Sequence, residues 1–364
     1  MLGRGPFFVW KPSGPAAHRS IGARRTMSSP ITWSSFSRAP AGIRYALILT
    51  LILAFCALMV IISIPISLFD KASALVSFAL LLLPYLLFTS RQFLNWLRER
   101  TARSRFAFPA LLLAIYILYG LGPGRLRVPE SLVIPAYLAF PILFASLAAK
   151  WSERPNRFDL LAVIFLYLPV ELAALARAWT PASPDIPSPS HAFTQLLAMN
   201  LALFCFLAVR PLAGIGFTFR LQARDVVQAL IAFGWFLPLA LFFCAATGFV
   251  PFEPHPPNLA LIIPVTLGVT FMVALPEEVL FRGLIQNLMQ RAAGTARGRF
   301  VAMLVASILF GFSHLNNHPT FDWRYVTIAS IAGIAYGTVY NRTGKVTAAA
   351  ITHALIDVVW RLCF

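Results

Sequence analysis

The 364 residues are 59% hydrophobic and only 12% charged, with a mean hydropathy of +0.76 and a formal net charge of +17. A soluble chain carries about 25% charged residues, so a water-soluble globular enzyme is excluded. The apolar runs do not alternate with polar residues, which excludes a β-barrel. The cations lie between apolar runs, with no basic face bearing aromatic platforms, which excludes a nucleic-acid binder.

Residues 1–44 hold seven Lys/Arg and no acid. They contain no long apolar run, so they are not a complete secretory signal. They predict a basic, disordered cytoplasmic tail, with Met27 as an alternative start. Apolar runs then predict spanning helices at 45–69, 72–90, 106–122, 131–149, 158–176, 192–209, 226–249, 259–288, 300–315, 325–340 and 346–361. The fold class expected is all-α, a polytopic transmembrane bundle of about eleven spans, with eight as the lower bound. With the N-terminus in the cytoplasm, 23 Lys/Arg fall on the cytoplasmic side and six on the other, with Arg282 inside a span. That asymmetry follows the positive-inside rule. The expected location is the plasma membrane of a bacterial cell.

Segment 181–188 is a Pro/Ser-rich external loop, and 211–225 is a cytoplasmic linker. Composition changes there. The chain divides into the tail, N-terminal transmembrane helices over 45–220 with no assigned role, and a module over 225–361 that holds the polar groups. Cys56, Cys205, Cys244 and Cys363 lie in or beside apolar runs without a CxxC pair and read as small buried hydrophobes. No internal repeat is evident, which disfavours an inverted-repeat transporter.

The segment LPEEVLFRG (275–283) places two acids and an arginine in an apolar run, where ionisable groups are expensive. Glu278 and Arg282 are i,i+4 neighbours and can pair. Glu277 is turned about 100° away on a helix of 3.6 residues per turn, so it lacks a local counterion. It is the acid free to take a proton from water. His314 ends the next run. His318 follows at ligand spacing, but Asn316, Asn317 and Pro319 predict that the helix ends between the two histidines. His353 and Asp357 are i,i+4 on the last run and can hydrogen-bond or share a ligand. Glu171, after Pro169, reads as a helix-end or packing residue, with a place on the same cavity as the alternative. Gly333 and Gly337 form a small-xxx-small packing face.

Depth ties the polar groups together. At 1.5 Å per residue, Glu277 lies about 21 Å from Arg291, His314 about 22 Å from Arg299 and Asp357 about 18 Å from Lys345. Two carboxylates and two imidazoles suit water activation and stabilisation of a tetrahedral intermediate. They equally suit a His/carboxylate metal site with an open position, or a proton relay.

Glu277-Glu278-x-x-x-Arg282, Phe310-x-x-x-His314 and His353-x-x-x-Asp357, with the flanking LFGFSHL and GIAYGTVYNRTGKVTAAAITHALID, resemble the CPBP intramembrane proteases. That family includes the CAAX prenyl endopeptidases of the Ras-converting type and the bacterial Abi proteins. The resemblance covers about 225–361. It implies a membrane endopeptidase in which Glu277 and His314 activate water, while His353 and Asp357 hold the oxyanion or complete a metal site. Glu278 and Arg282 would be supporting residues. All four of Glu277, His314, His353 and Asp357 are then candidate ligands for a divalent metal such as Zn2+; a metal-free glutamate mechanism is the other reading. The prenyl proteases usually carry Asn at the last position. Asp357 departs from that, and an ionised Asp cannot donate to an oxyanion. It must be protonated, orient His353 or bind metal. The expected partners are the lipid bilayer and a membrane-associated protein or peptide substrate, CAAX-like or prenylated in the family's pattern, and no nucleic acid. The competing reading is a non-proteolytic protein on the same fold: a proton-coupled transporter, or a bacteriocin immunity or scaffold protein.

Overall fold

A computed structural model of the protein describes residues 41–100, 105–126, 132–171, 187–250, 253–317 and 321–364. The tail up to residue 40, most of the 181–188 loop and His318 lie outside the described residues. The described residues are helical, without strands. The elements are α1 (Ala41–Ile62), α2 (Leu68–Leu87), α3 (Arg91–Arg98), α4 (Ala107–Leu121), α5 (Val133–Trp151), α6 (Arg157–Glu171), α7 (Pro187–Leu203, extended to Val209 by a π-helical stretch), α8 (Ala223–Thr247), α9 (Leu259–Ala293), α10 (Ala296–Phe312), α11 (Trp323–Thr343) and α12 (Val346–Cys363).

A helix stands at each run read from the sequence. Among the described residues, eight segments are long and apolar enough to cross a membrane: α1, α2, α5, Ser190–Val209 of α7, α8, α9, Ala296–Leu315 through α10, and α12. Helix α4 is apolar but shorter. The outer surface is apolar. Leu51 is 70% exposed, Phe242 71% and Ile263 69%. Water would penalise a belt of such residues, whereas hydrocarbon does not. The chain is an integral membrane protein.

Pro40–Phe364 forms one compact unit. Helices before residue 220 pack directly on those after it. The Tyr85 hydroxyl of α2 donates to the Phe271 carbonyl of α9 at 3.5 Å, and Tyr167 of α6 meets Phe281 of α9 edge-on at 5.9 Å. Buried polar groups stitch the helices where lipid offers no partner. Asn200 of α7 donates to the Leu81 carbonyl of α2 at 2.9 Å, and Arg210 pairs with Asp159 at 3.1 Å.

Two features position the site. Helix α9 is not a regular α-helix. It passes through π-helical turns at Thr270–Ala274 and Val279–Gln286, on either side of Leu275–Glu278. Pro276 has no N–H to donate back one turn, and Leu275 N–H reaches five residues back to Thr270 instead. Single π turns of this kind frequently mark functional sites. The second feature is the close approach of α10 and α11. A Cβ on Gly333 would meet Ser307 backbone and side chain at 2.9 Å, so only glycine allows this contact. The small-residue face expected from Gly333 and Gly337 is a packing face.

Candidate active site

Glu278 and Arg282 are fully buried, with Arg282 Nε 3.2 Å from Glu278 Oε2. The i,i+4 pairing expected from the sequence is present. Arg282 has further support. Its Nη2 donates to the Gly333 carbonyl at 3.0 Å, and the guanidinium lies 4.8 Å from the Phe310 ring centroid and 5.4 Å from that of Tyr336. The close α10–α11 packing therefore brings both a carbonyl and two π faces to one cation.

Glu278 has a second partner that sequence spacing cannot show. His353 Nδ1 lies 3.0 Å from Glu278 Oε1. A carboxylate only accepts, so Nδ1 carries the proton and donates. This contact fixes the ring and leaves Nε2 facing the other acids. Nε2 lies 3.8 Å from Glu277 Oε2 and 3.8 Å from Asp357 Oδ1. Tyr336 stacks on the same imidazole at 4.6 Å and 11° between planes. The orienter of His353 is thus Glu278, with Tyr336 packed on the ring. Asp357, the i,i+4 neighbour, stands beyond hydrogen-bond distance.

Helix α10 ends at Phe312, earlier than the point between His314 and His318 expected from the sequence, and His314 occupies the 3-10 turn Ser313–Asn317. Its Nδ1 lies 2.9 Å from the Phe310 carbonyl. That oxygen only accepts, so Nδ1 donates and Nε2 of the neutral ring is the basic nitrogen. Phe310 meets His314 edge-on at 4.8 Å and His353 at 5.7 Å.

Glu277, His314, His353 and Asp357 all line one cavity of about 580 Å³. That volume lies within the range of small-molecule and cofactor sites. The Glu277 and Asp357 side chains retain 24% and 27% exposure, while Glu278 and Arg282 retain none. Glu277 and Asp357 thus reach the cavity, and a sealed ion pair stands behind them.

The N-terminal helices also contribute: the sequence offered Glu171 as a cavity residue only as the alternative to a packing role, and gave no signal for Tyr167. Tyr167 and Glu171 of α6 line the cavity and hydrogen-bond each other; Tyr167 also hydrogen-bonds Ser313, whose Oγ lies 3.3 Å from His314 Nδ1. Glu171 is a cavity residue. Its only sequence signal was a carboxylate in an apolar run.

Any metal would need several donors around one point. Each histidine is engaged through Nδ1, which leaves both Nε2 atoms open as donors. Among the described residues no three His, Cys, Asp or Glu side chains are grouped so as to hold a cation, and no step below runs through a metal.

No curated protein and no solved structure matches the chain. A family model matches residues 259–359, which hold Glu277, Glu278, Arg282, His314, His353 and Asp357. That model is described as Rce1-like, type II CAAX prenyl endopeptidase Rce1-like; residues 259–359 are therefore an Rce1-like domain of the CPBP/CAAX protease family.

Proposed function

We propose that the protein is an intramembrane endopeptidase that hydrolyses a peptide bond of a membrane-associated protein or peptide. The observation that carries this reading is the shared cavity. Glu277 and Asp357 reach it with both imidazoles, above a sealed Glu278–Arg282 pair. Glu277, aided by His314 Nε2, takes a proton from water as the hydroxide adds to the carbonyl carbon. The electron pair of the C=O moves onto oxygen. His353 Nε2 and Asp357 flank that oxyanion, the imidazole as a protonated donor and Asp357 through its carboxylic acid form. The intermediate collapses, the C–N bond breaks, and the proton held by Glu277 passes to the leaving amine. The protein lies in the plasma membrane with a cytoplasmic N-terminus, which the cation asymmetry of the loops supports.

The reading is tested with protein in nanodiscs and a library of membrane-anchored peptides, including prenylated CAAX peptides. Wild-type protein is expected to cleave a subset, and His314→Ala to cleave none. Activity is expected to survive chelation and to be independent of metal content measured on the same sample. Loss on chelation with restoration by Zn2+ would return the metal mechanism. Proton-coupled flux in proteoliposomes without hydrolysis would replace the protease by a transporter.

Tyr167 gives a smaller effect. A neutral hydrogen bond contributes about 0.5–1.5 kcal/mol, and Tyr167→Phe removes the hydroxyl that links Glu171 to Ser313 beside His314. Turnover is expected to fall roughly two- to tenfold with KM unchanged, which that free-energy range implies.

A further inference from the structure

The ionisable groups sort onto two ends of the bundle. At one end, Arg98 donates to the Leu207 carbonyl at 2.8 Å, Arg210 to the Arg154 carbonyl at 3.1 Å, Lys345 to the Arg220 carbonyl at 2.9 Å and Arg342 to Gln228 at 2.8 Å. These contacts join the ends of α3, α5, α7, α8, α11 and α12 into one face dominated by cations. At the other end Arg324 is matched by Asp322 at 2.8 Å and Arg125 by Asp70 at 3.6 Å, and His255 N–H bonds the Cys363 carbonyl at 2.9 Å. Cations and acids are mixed there. By the positive-inside rule the first face is cytoplasmic.

The cavity belongs to the second end. Its outer lining is Glu171, His191, Phe249, Tyr325, Trp360 and Arg361. Each lies toward that end of the described part of its helix. None of Arg98, Arg210, Arg342 or Lys345 lines it. Asp357 is about 9 Å of helix from Cys363 and about 17 Å from Val346, at 1.5 Å per residue. Between the cavity and the basic face lies a hydrogen-bonded layer. Gln286 donates to Asn341 at 2.9 Å, Asn287 to the Ala213 carbonyl at 2.9 Å, and Tyr340 to the Gly214 carbonyl.

We infer that water and substrate reach this site from the non-cytoplasmic half of the membrane. The substrate class is then a membrane-anchored peptide whose scissile bond, flanked by apolar residues, lies in that half. A chain anchored only in the cytoplasmic leaflet does not present its bond to this cavity. The substrate statement rests on the protease reading; the side of access does not.

The experiment labels single cysteines with a charged, membrane-impermeant thiol reagent. Cys56, Cys205, Cys244 and Cys363 are first replaced by alanine. Ile356→Cys places a thiol on the cavity wall, and Arg342→Cys places one on the basic face. In right-side-out vesicles Ile356→Cys is expected to label and Arg342→Cys not, with the pattern reversed in inverted vesicles. Labelling of both from the same side, or of Ile356→Cys from neither, overturns the inference. A second measurement needs no substitution. In proteoliposomes of known orientation, an anchored peptide is expected to be cut only when added at the face opposite the basic loops. Cleavage only from the basic face overturns the access side, whereas no cleavage from either face counts against the protease reading and leaves the labelling result standing.

Discussion

Glu277→Gln is expected to abolish measurable hydrolysis while the protein keeps its fold. The substitution preserves shape and removes the one property the mechanism needs, a lone pair that can hold a proton. General-base catalysis contributes about 10²–10⁴ in rate, so kcat should fall by roughly that factor, with KM little changed. The fold should tolerate it, because Glu277 has no hydrogen-bonded partner to lose. Its Oε2 faces His353 Nε2 at 3.8 Å and the cavity. Removing one negative charge beside the Glu278 carboxylate relieves repulsion. Thermal unfolding in nanodiscs should therefore not shift downward. Turnover within about tenfold of wild type, less than the smallest general-base contribution, would move the base elsewhere in the cavity, with Glu171 and Asp357 next in line.

How much of this site could be read from sequence depends on the separation of the partners. The Glu278–Arg282 pair is an i,i+4 contact, so helix geometry alone predicts it. The bond between Glu278 and His353 joins residues 75 apart. No local period encodes it, and the sequence instead suggested Asp357 as the partner of His353. The ring could not be placed without Tyr336, which stacks on it. Tyr336 sits between Gly333 and Gly337, where spacing reads as close helix packing rather than as part of a site. The π turns of α9 had one visible cue, Pro276 inside the motif, but a proline predicts a disturbed turn and not which kind. Span positions were legible because hydropathy and cation placement reflect the membrane directly. Tyr167 was not, and Glu171 was visible only as a carboxylate in an apolar run, because both come from a helix outside the motif-bearing region and meet His314 only through tertiary packing.

The Glu278–Arg282 pair separates structural from functional charge. Arg282→Leu alone leaves a carboxylate buried without its cation, and breaking such a pair costs about 3–5 kcal/mol. Glu278→Leu alone should cost a similar amount, since Arg282 retains only the Gly333 carbonyl and the aromatic faces. Replacing both with apolar residues removes both unpaired charges, and such replacements are often neutral or stabilising. The double variant is therefore expected to recover most of the stability lost by either single variant, seen as a large favourable coupling in a double-mutant cycle. Activity should not follow. Glu278 Oε1 also holds His353 Nδ1 at 3.0 Å, and an apolar residue cannot fix that ring or its tautomer. A stable, inactive double variant shows that the second acid of the motif serves the imidazole as well as the arginine. Recovery of turnover together with stability would make the pair purely structural and leave His353 held by the rings of Tyr336 and Phe310.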